Sequence, residues 1–442
     1  MTSAVSTGRD RLAASTTLPG LLAAPAADLA TARATWGPLP DLSGRHAVAA
    51  VAAELRSSGL TGRGGAAFPL WDKLSAALAA GGAALVVANG HEGEPASAKD
   101  RTLLTRSPHL VLDGLEVLAA LAGARRRAVS VLPGPAADAL AAAVAERRAM
   151  RPVNGERRGD LELRCAPGSG FVGGEASAVL AGLAGNRQLP GDHVVPLAVS
   201  GLRGRPTVVS NVETLAHLAL IARAGARWFR SCGTAAEPGS VLVTVGGAVA
   251  VPGVDEVALG TPLVEVVARA GGPTAGVQAL LVGGYHGTWV PGGDAVGRRL
   301  SRASLAGVGA VPGAGVLLVL PDEACGLAET ARITRWLADA SAGQCGPCLN
   351  GLPRLADAVD GLAVVRGAAA VRLGVDRGDG PAASVAAVSG LAELVDGRGA
   401  CHHPDGTAAM VRSALSCFAD EVRAHAAGWC RARTARGSGE RS

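Results

Sequence analysis

The sequence predicts an α/β domain with a mainly parallel sheet, followed by a small α+β module of ubiquitin-like type and a carboxy-terminal helical bundle. Strand and helix patterns alternate up to about residue 230, and this alternation is typical of a parallel sheet. Two strands, a helix and further strands then follow within residues 240–321. Beyond Asp322, apolar residues recur at spacings of three and four, which is the period of amphipathic helices. A chain of 442 residues is long enough for three such units.

Each unit is predicted from its own run of apolar residues. In the α/β domain we expect helices at residues 46–59, 109–123 and 136–149, and strands at residues 83–89, 127–133 and 161–167. In the α+β module we expect a hairpin and a short helix within residues 241–272, and strands at residues 279–290 and 315–321. In the bundle we expect helices at residues 324–339, 349–359, 386–395 and 407–425.

The predicted boundaries follow from these elements. The first residues have little pattern, so we expect them to wrap the surface, and we expect the last ones to be disordered. The expected divisions are residues 1–45 (extension), 46–235 (α/β domain), 240–321 (α+β module), 322–428 (helical bundle) and 429–442 (disordered tail).

Composition argues against several classes of protein. The formal charge of +5 is spread along the chain, and one Tyr and four Phe are too few for base stacking, so we expect no nucleic acid as a partner. The longest apolar runs are broken by Gly or Pro, so we expect no transmembrane segment. Residues 16–30 resemble a weak signal sequence interrupted by Pro19, and we interpret them as a non-cleaved leader of a cytoplasmic protein. Eight cysteines in such a chain indicate metal ligands, redox groups or core thiols rather than disulfides.

Lysine is almost absent, and both lysines lie in glycine-containing segments. Lys73 follows the run GLTGRGGAAFPLWD, and Lys99 ends the run ANGHEGEPASA. An arginine fork does not replace a compact ammonium beside a phosphate or a flavin edge. A bound anionic cofactor is therefore the first hypothesis, with chance placement as its alternative.

Four segments together predict where such a cofactor binds. Glycines in residues 59–69 permit a tight turn whose N–H groups form an anion-binding concavity. The acidic loop of residues 89–95 leaves a buried strand, where ligands of α/β sheets bind. Residues 168–180 form a second glycine loop that carries Glu175. Residues 204–218 place polar side chains at a helix start, which suits a phosphate.

Three cysteines form a second candidate site. Cys345 and Cys348 have Cys-x-x-Cys spacing, and Cys401 lies on a later loop, so the three thiolates can share an iron–sulfur cluster. Cys-Gly-Pro-Cys is also typical of a thioredoxin-like dithiol, but that site needs a preceding strand, whereas the pattern before Cys345 is helical. Zinc with mixed Cys and His ligands is a third alternative. We expect the remaining cysteines to be small core or surface residues: Cys165, Cys232, Cys325, Cys417 and Cys430.

With these motifs in order over residues 46–425, the chain resembles the NADH-dehydrogenase flavoprotein of respiratory complex I, which carries flavin and oxidises NADH, and its relatives in hydrogenases and formate dehydrogenases. The resemblance implies a Rossmann-like FMN-binding domain and an SLBB β-grasp module. It implies Glu92, Glu94 and Glu175 as catalytic residues. It implies a cofactor site formed by Gly62, Gly64, Gly65, Phe68, Lys73, Asn89, Glu92, Phe171, Gly174, Glu175, Ser210, Asn211 and Thr214.

The resemblance also implies a four-iron, four-sulfur (4Fe-4S) cluster, with one departure. In the family a Cys-x-x-Cys-x-x-Cys run and one later Cys hold the cluster, whereas Ala342 occupies the first of these positions here. Either His402, His403 or Asp405 supplies the fourth ligand, or the cluster loses an iron and becomes 3Fe-4S, or there is no cluster. Our predicted ligands are Cys345, Cys348, Cys401 and His402.

The implied reaction passes a hydride from NADH to FMN and single electrons through the cluster to a partner. The implied partner is a ferredoxin-like or thioredoxin-like iron–sulfur subunit or a quinone-reducing component. Ala176 and His91 replace acidic residues of the family, and these changes weaken the nicotinamide site more than the flavin site. Two alternatives therefore stay open: a flavin-carrying chain with another electron donor, and a non-catalytic scaffold that binds a ligand or partner.

Overall fold

The computed structural model describes residues 20–23, 27–149, 161–165, 170–192, 195–365 and 381–432. The strands of its first sheet are β1 Leu85–Gly90, β2 Arg126–Val131, β3 Leu161–Cys165 and β4 Thr207–Asn211. The sheet confirms the predicted parallel arrangement, with strand order β3-β2-β1-β4. Asn89 pairs with Asn211, so the carboxyl ends of β1 and β4 lie side by side. In open α/β sheets this edge is where ligands bind.

Helices pack around this sheet. The sequence predicted the helices Arg45–Ser58, Pro108–Ala122 and Pro135–Ala149. It did not predict Leu70–Ala79 or Lys99–Arg106, which are short and lie close to glycine-rich loops. The helix Pro108–Ala122 shows the usual end signals, because Pro108 starts it and Gly123, at φ 67°, ends it. The helices are α1 Leu29–Trp36, α2 Arg45–Ser58, α3 Leu70–Ala79, α4 Lys99–Arg106, α5 Pro108–Ala122, α6 Pro135–Ala149, α7 Ala176–Leu183 and α8 Val212–Phe229.

The amino-terminal extension does more than wrap the surface. Leu21 and the Trp36 ring of α1 are buried in the same apolar core as the helices of the α/β part. The Trp36 indole N–H donates to the Gly20 carbonyl at 3.3 Å. The prediction of a surface extension is therefore wrong for this part, because large apolar side chains outweigh the weak local pattern. Of the predicted leader, residues 16–19 and 24–26 lie outside the described residues.

The strands of the second sheet are β5 Ser240–Gly247, β6 Gly253–Ala258, β7 Val277–Val282, β8 Thr288–Pro291 and β9 Val316–Pro321. The sheet is mixed and has strand order β6-β5-β9-β7-β8. β5 pairs antiparallel with β6 and parallel with β9, while β7 pairs antiparallel with both β9 and β8. The helices that connect them are α9 Leu263–Arg269, α10 Gly292–Ala295 and α11 Arg302–Ala306.

From residue 322 onward, the regular structure of the described residues is helical. The expected helix at residues 407–425 is two helices, because the backbone leaves the helical region at the buried Phe418. The expected disordered tail does not begin at residue 429, since Cys430 is buried against the bundle. These helices are α12 Gly326–Asp339, α13 Leu352–Ala363, α14 Pro381–Val395, α15 His403–Cys417 and α16 Ala419–Ala426. Among the residues described, none of the helices is both long and apolar enough to cross a membrane.

A buried group of charges joins the first sheet to the second. The Lys99 ammonium, at the start of α4, lies 2.6 Å from Asp100 Oδ1 and 2.9 Å from Glu213 Oε2 of α8. The other Glu213 oxygen accepts the N–H of Leu242 in β5 at 2.8 Å. Burial disfavours the ammonium charge, but the two carboxylates outweigh it and raise the pKa of Lys99. Lys99 therefore forms a structural ion pair rather than part of an anion-binding loop.

We predict that Lys99→Met lowers the free energy of unfolding by about 3 to 5 kcal/mol, because it leaves buried carboxylates without their nearest cation. Urea unfolding measures this change. The control is Arg126→Met, which removes a half-exposed pair with Glu162 at 4.0 Å and costs less than about 1 kcal/mol. Equal midpoints for Lys99→Met and the wild type would contradict the prediction.

Candidate functional site

The glycine loop of residues 59–69 is fixed against the start of α8. A hydrogen bond joins the two sides of the loop, since the Gly62 N–H donates to the Phe68 carbonyl at 2.9 Å. The Arg63 N–H donates to the Thr214 hydroxyl at 2.9 Å. Gly65 has φ +105°, a backbone conformation that favours glycine. Across the part of the chain that the structure describes, the N–H groups of Gly64 and Gly65 have no intramolecular acceptor.

Lys73, in α3, reaches the same edge of the sheet. Its ammonium donates to the carbonyl of Val209 in β4 at 2.7 Å, one residue before the buried Ser210. Burial lowers the pKa of Lys73. Since this ammonium has one carbonyl partner in the structure, two of its three N–H donors remain for an anion.

Asn211 and Asn89 fix the adjacent strand ends. The Asn211 side-chain oxygen caps α8 by accepting the Glu213 N–H at 2.9 Å, and its amide donates to Asp100 Oδ2 at 2.7 Å. The Asn89 amide donates to the Gly174 carbonyl at 2.8 Å. Both asparagines therefore hold the backbone around the predicted cofactor site, and their contacts with a cofactor stay a prediction.

Glu92 acts as a helix cap in this structure. Its carboxylate accepts the N–H groups of Asp100 and Arg101 at 3.0 and 3.1 Å and the Ser97 hydroxyl at 2.6 Å. Burial and the neighbouring Asp100 raise the pKa of Glu92. These hydrogen bonds hold the Glu92 carboxylate at the start of α4, and its catalytic role stays a prediction.

Glu94 joins the acidic loop to the second sheet. It accepts the N–H of Tyr285 at 2.8 Å and that of Ala96 at 3.1 Å. A Cβ at Gly284 would lie 2.5 Å from the Glu94 carboxylate, so glycine is needed there for this contact. Burial raises the pKa of Glu94 to about 7.

The second glycine loop packs tightly on the acidic loop. A Cβ at Gly174 would lie 2.6 Å from the His91 carbonyl oxygen, and a Cβ at Gly93 would lie 2.4 Å from that of Phe171. The loop then enters α7, whose first N–H groups, those of Ser177 and Ala178, donate to the Glu175 carboxylate. Glu175 is therefore a helix cap as well as a predicted catalytic residue.

Phe171 reaches from this loop into the helical bundle. Its ring centroid lies 4.5 Å from that of His286, 5.5 Å from that of His403 and 5.8 Å from that of Trp336. Sequence reasoning assigned Phe171 but missed His286 and Trp336. Trp336 lies in no glycine or cysteine motif, and His286, although Gly284 and Gly287 lie close to it, is far from the four predicted cofactor segments in sequence; only tertiary packing brings both residues to Phe171.

The three cysteines predicted as ligands lie together at the edge of the bundle. Cys348 is buried in the π-helical turn Pro347–Gly351, and burial together with Cys345 and Cys401 raises its pKa to about 12. Burial also raises the pKa of Cys345, but N–H groups of Ala400 and Cys348 donate to its sulfur and leave the pKa below its usual value. Burial raises the pKa of Cys401 and outweighs the opposite effect of the His403 N–H, which donates to the Cys401 sulfur. Because α12 precedes this turn, the thioredoxin-like alternative lacks its strand.

The candidates for the fourth cluster ligand differ in exposure. The His402 ring is fully exposed and lies 3.0 Å from Asp405. The His403 ring is buried, its Nε2 donates to the Leu337 carbonyl at 2.8 Å, and its Nδ1 is without a partner among the described residues. Asp405 also accepts the Gly397 N–H at 2.8 Å.

The residues present fit both cofactors that the resemblance implies, FMN and an iron–sulfur cluster. For FMN, the fit rests on the unsatisfied N–H groups of Gly64 and Gly65 and on the Lys73 ammonium. For a cluster, the fit rests on three thiols, two of which accept backbone N–H groups.

Comparisons with known proteins identify an FMN-binding region and an iron–sulfur-binding region in this chain. Residues 55–220 match the Nuo51 FMN-binding domain, and residues 328–425 match the NADH-ubiquinone oxidoreductase-F iron-sulfur binding region. An NADH-quinone oxidoreductase subunit of Rhizobium meliloti (strain 1021) is 32% identical over 84% of this chain and 87% of its own length. NADP-reducing hydrogenase subunit HndC of Solidesulfovibrio fructosivorans is 29% identical over 84% of this chain and 75% of its own.

A solved structure with a similar fold is that of an NAD+-reducing NiFe-hydrogenase in the H2-reduced state. The TM-score is 0.75 at 28% sequence identity, over 86% of this chain. This chain spans 63% of that hydrogenase chain, slightly less than two thirds of its length.

We predict a pH effect on stability that comes from Glu94. Its folded-state pKa of about 7 exceeds the ordinary value of 4.5, so the stability that it contributes is complete below pH 4.5 and is lost as the pH rises through 7. Glu94→Gln mimics the protonated side chain. Relative to the wild type, this variant should therefore gain about 2 to 3 kcal/mol in free energy of unfolding between pH 4.5 and 8.

Urea unfolding at several pH values measures this gain. Glu162→Gln, on the edge strand β3, controls for the loss of one carboxylate charge from the protein. A stability difference between Glu94→Gln and the wild type that stays constant from pH 4.5 to 8 would show that Glu94 titrates alike in the folded and unfolded chains.

Proposed function

This chain belongs to the family of NADH-quinone oxidoreductase flavoproteins and related hydrogenase subunits, and from that membership we propose that it oxidises NADH and passes single electrons to a partner protein. It is an oxidoreductase of the flavin- and iron–sulfur-dependent type. When bound, FMN supplies the change from two-electron to one-electron chemistry. The residues of the chain position the cofactor, exclude water and set the local charge.

The observation that best supports this proposal is the set of contacts that the second glycine loop makes. Gly174 touches the acidic loop at His91, and Phe171 of the same loop touches His403, two residues after Cys401. One short segment therefore separates the predicted flavin site from the predicted cluster. This arrangement favours electron transfer over a scaffold role, because a scaffold would not need the two sites to adjoin.

Lys73 and the glycine loop are the proposed anion-binding part. The two unused donors of the Lys73 ammonium and the N–H groups of Gly64 and Gly65 would hold the flavin and its phosphate. Ser210, Asn211 and Thr214 lie beside them, at the end of β4 and the start of α8. The Phe68 ring is 53% exposed at this loop, so it is available to stack on a ring of the donor.

A non-nicotinamide donor is the second candidate. Ala176 replaces a carboxylate of the family, and buried, uncharged His91 replaces another, since burial lowers the pKa of His91. Both changes remove negative charge from the region where relatives carry it. The flavin site is unaffected by them, so this candidate differs only in the source of the electrons.

The proposed cluster ligands are Cys345, Cys348, Cys401 and His402. The exposed His402 ring is held by one hydrogen bond to Asp405, so a single contact has to break before the ring can turn toward a cluster. A histidine ligand raises the reduction potential of a cluster relative to four thiolates. We therefore expect a potential above that of a four-cysteine site.

The partner is proposed to be a ferredoxin-like or thioredoxin-like iron–sulfur subunit, or a quinone-reducing component. We also propose that residues 46–235, 240–321 and 322–428 act as separate FMN, SLBB β-grasp and iron–sulfur domains. Three apolar cores that lie mainly in these parts support that division, although the core of the bundle also includes side chains of the second unit, among them Leu281, Tyr285 and Trp289.

We predict that Lys73→Met lowers FMN affinity at least tenfold, because it removes the only lysine at the cofactor loop. Lys73→Arg should also lower it, since the guanidinium fork does not fit a point-charge position. FMN content after gel filtration and the dissociation constant from fluorescence measure both effects. Iron content, which should stay that of the wild type, is the control; unchanged FMN affinity in both variants would refute the role of Lys73.

We predict that Ala342→Cys restores a four-thiolate cluster. The variant should bind four irons per chain and show a lower reduction potential than the wild type, because a thiolate stabilises the oxidised cluster more than imidazole does. Iron and sulfide assays and a spectroscopic redox titration measure this. Ser341→Cys is the matched control, because it adds a thiol one residue outside the motif; a potential shifted equally by both variants would contradict the prediction.

A further inference from the structure

A second cluster of metal-binding side chains lies at the far end of the helical bundle. Cys325 precedes α12, His425 lies in the last turn of α16, and Cys430 follows that helix. Their two sulfur atoms and one imidazole nitrogen lie within 4.8 Å of one another. The proposed iron–sulfur site uses none of these residues.

The hydrogen bonds of His425 orient it as a ligand. Its Nδ1 lies 3.1 Å from the Leu362 carbonyl oxygen, which only accepts, so Nδ1 carries the proton. Nε2 therefore presents its lone pair, and it lies 3.5 Å from the Cys325 sulfur. A backbone carbonyl that fixes the ring in this tautomer is the usual support for a metal-bound histidine.

The spacing suits a tetrahedral ion. Zinc bonds of about 2.0 to 2.3 Å separate neighbouring ligand atoms by roughly 3.5 Å. The Cys325 and His425 atoms already have this separation, and the Cys430 sulfur needs a shift of about 1 Å at most. His425 and Cys430 are buried and Cys325 borders an open cleft, so a bound ion would be shielded from water except on the side of that cleft.

A candidate fourth ligand lies on α16, the helix that also carries His425. The Glu421 Oε2 lies 3.5 Å from the Cys325 sulfur and accepts the Leu327 N–H at 3.3 Å, while Gln278 donates to the other oxygen. An open cleft of about 480 Å³, lined in part by Cys325 and Cys430, borders the site. Either the Glu421 carboxylate or a water from this cleft completes four-coordination.

We propose that Cys325, His425 and Cys430 bind one zinc-class divalent ion that ties the end of the chain to the start of α12. Both thiols lose their protons to solvent when the ion binds, and no electron is transferred. Zinc is favoured over magnesium or calcium because two of the three ligands are sulfur. The site is structural, since the end of the described chain folds back on the bundle through it.

Elemental analysis of the full-length holoprotein, purified anaerobically and supplied with equimolar Zn2+, tests the proposal. The wild type should hold one zinc per chain in addition to its iron. Cys325→Ser and Cys430→Ser should each lower zinc affinity at least tenfold and leave the iron content unchanged. Cys417→Ser, a half-buried cysteine of the same bundle outside the triad, should keep the zinc.

Cobalt substitution gives a readout that does not depend on the folding of a variant. Co2+ at this site should produce the intense absorption of tetrahedral cobalt with thiolate ligands in the wild type and in Cys417→Ser. Wild-type protein without zinc or that absorption would overturn the proposal. So would a Cys430→Ser variant with undiminished zinc, or mass spectra showing a Cys325–Cys430 disulfide in the anaerobic protein.

Discussion

The buried ion pairs of Lys99 are the interaction on which the candidate site depends. Asp100 and Glu213 share this ammonium, and each carboxylate also fixes a neighbouring element: Asp100 accepts the Asn211 amide, and Glu213 accepts the N–H of Leu242. The starts of α4 and α8 and the strand β5 are therefore held in one arrangement. A buried charge group of this kind contributes little net stability when complete but costs much when a partner is lost, so it fixes geometry.

The loops around this group leave almost no free space between them. Backbone atoms of the acidic loop and of the second glycine loop approach so closely that a Cβ at Gly93 or Gly174 would collide with a carbonyl oxygen. Carboxylates at the loop ends, Glu92 and Glu175, satisfy the first N–H groups of α4 and α7. Rigid loops place donors without further ordering on ligand binding, which favours tight binding of a planar cofactor.

Motifs in the sequence predicted the parallel sheet, the glycine loops and the three clustered cysteines, because each is encoded in a short segment. Long-range contacts were not predictable in this way. The pairing of Lys99 with Glu213 spans 114 residues, and the contact of Phe171 with His286 depends on how the second sheet packs. Trp36 was missed because one buried ring in a segment with little pattern has no periodic signal. The sequence also predicted small core or surface roles for Cys325 and Cys430, which only the fold brings beside His425.

The central claim is that electrons from NADH pass through a flavin to the thiolate-bound cluster of the same chain. Electron paramagnetic resonance of the anaerobic holoprotein, frozen after addition of NADH, tests it most directly alongside the flavin absorbance. We expect NADH to bleach the flavin and to change the iron–sulfur signal, as dithionite does. A flavin that stays oxidised with NADH but is reduced by dithionite would contradict NADH as donor, and a bleached flavin with an unchanged iron–sulfur signal would contradict transfer to the cluster.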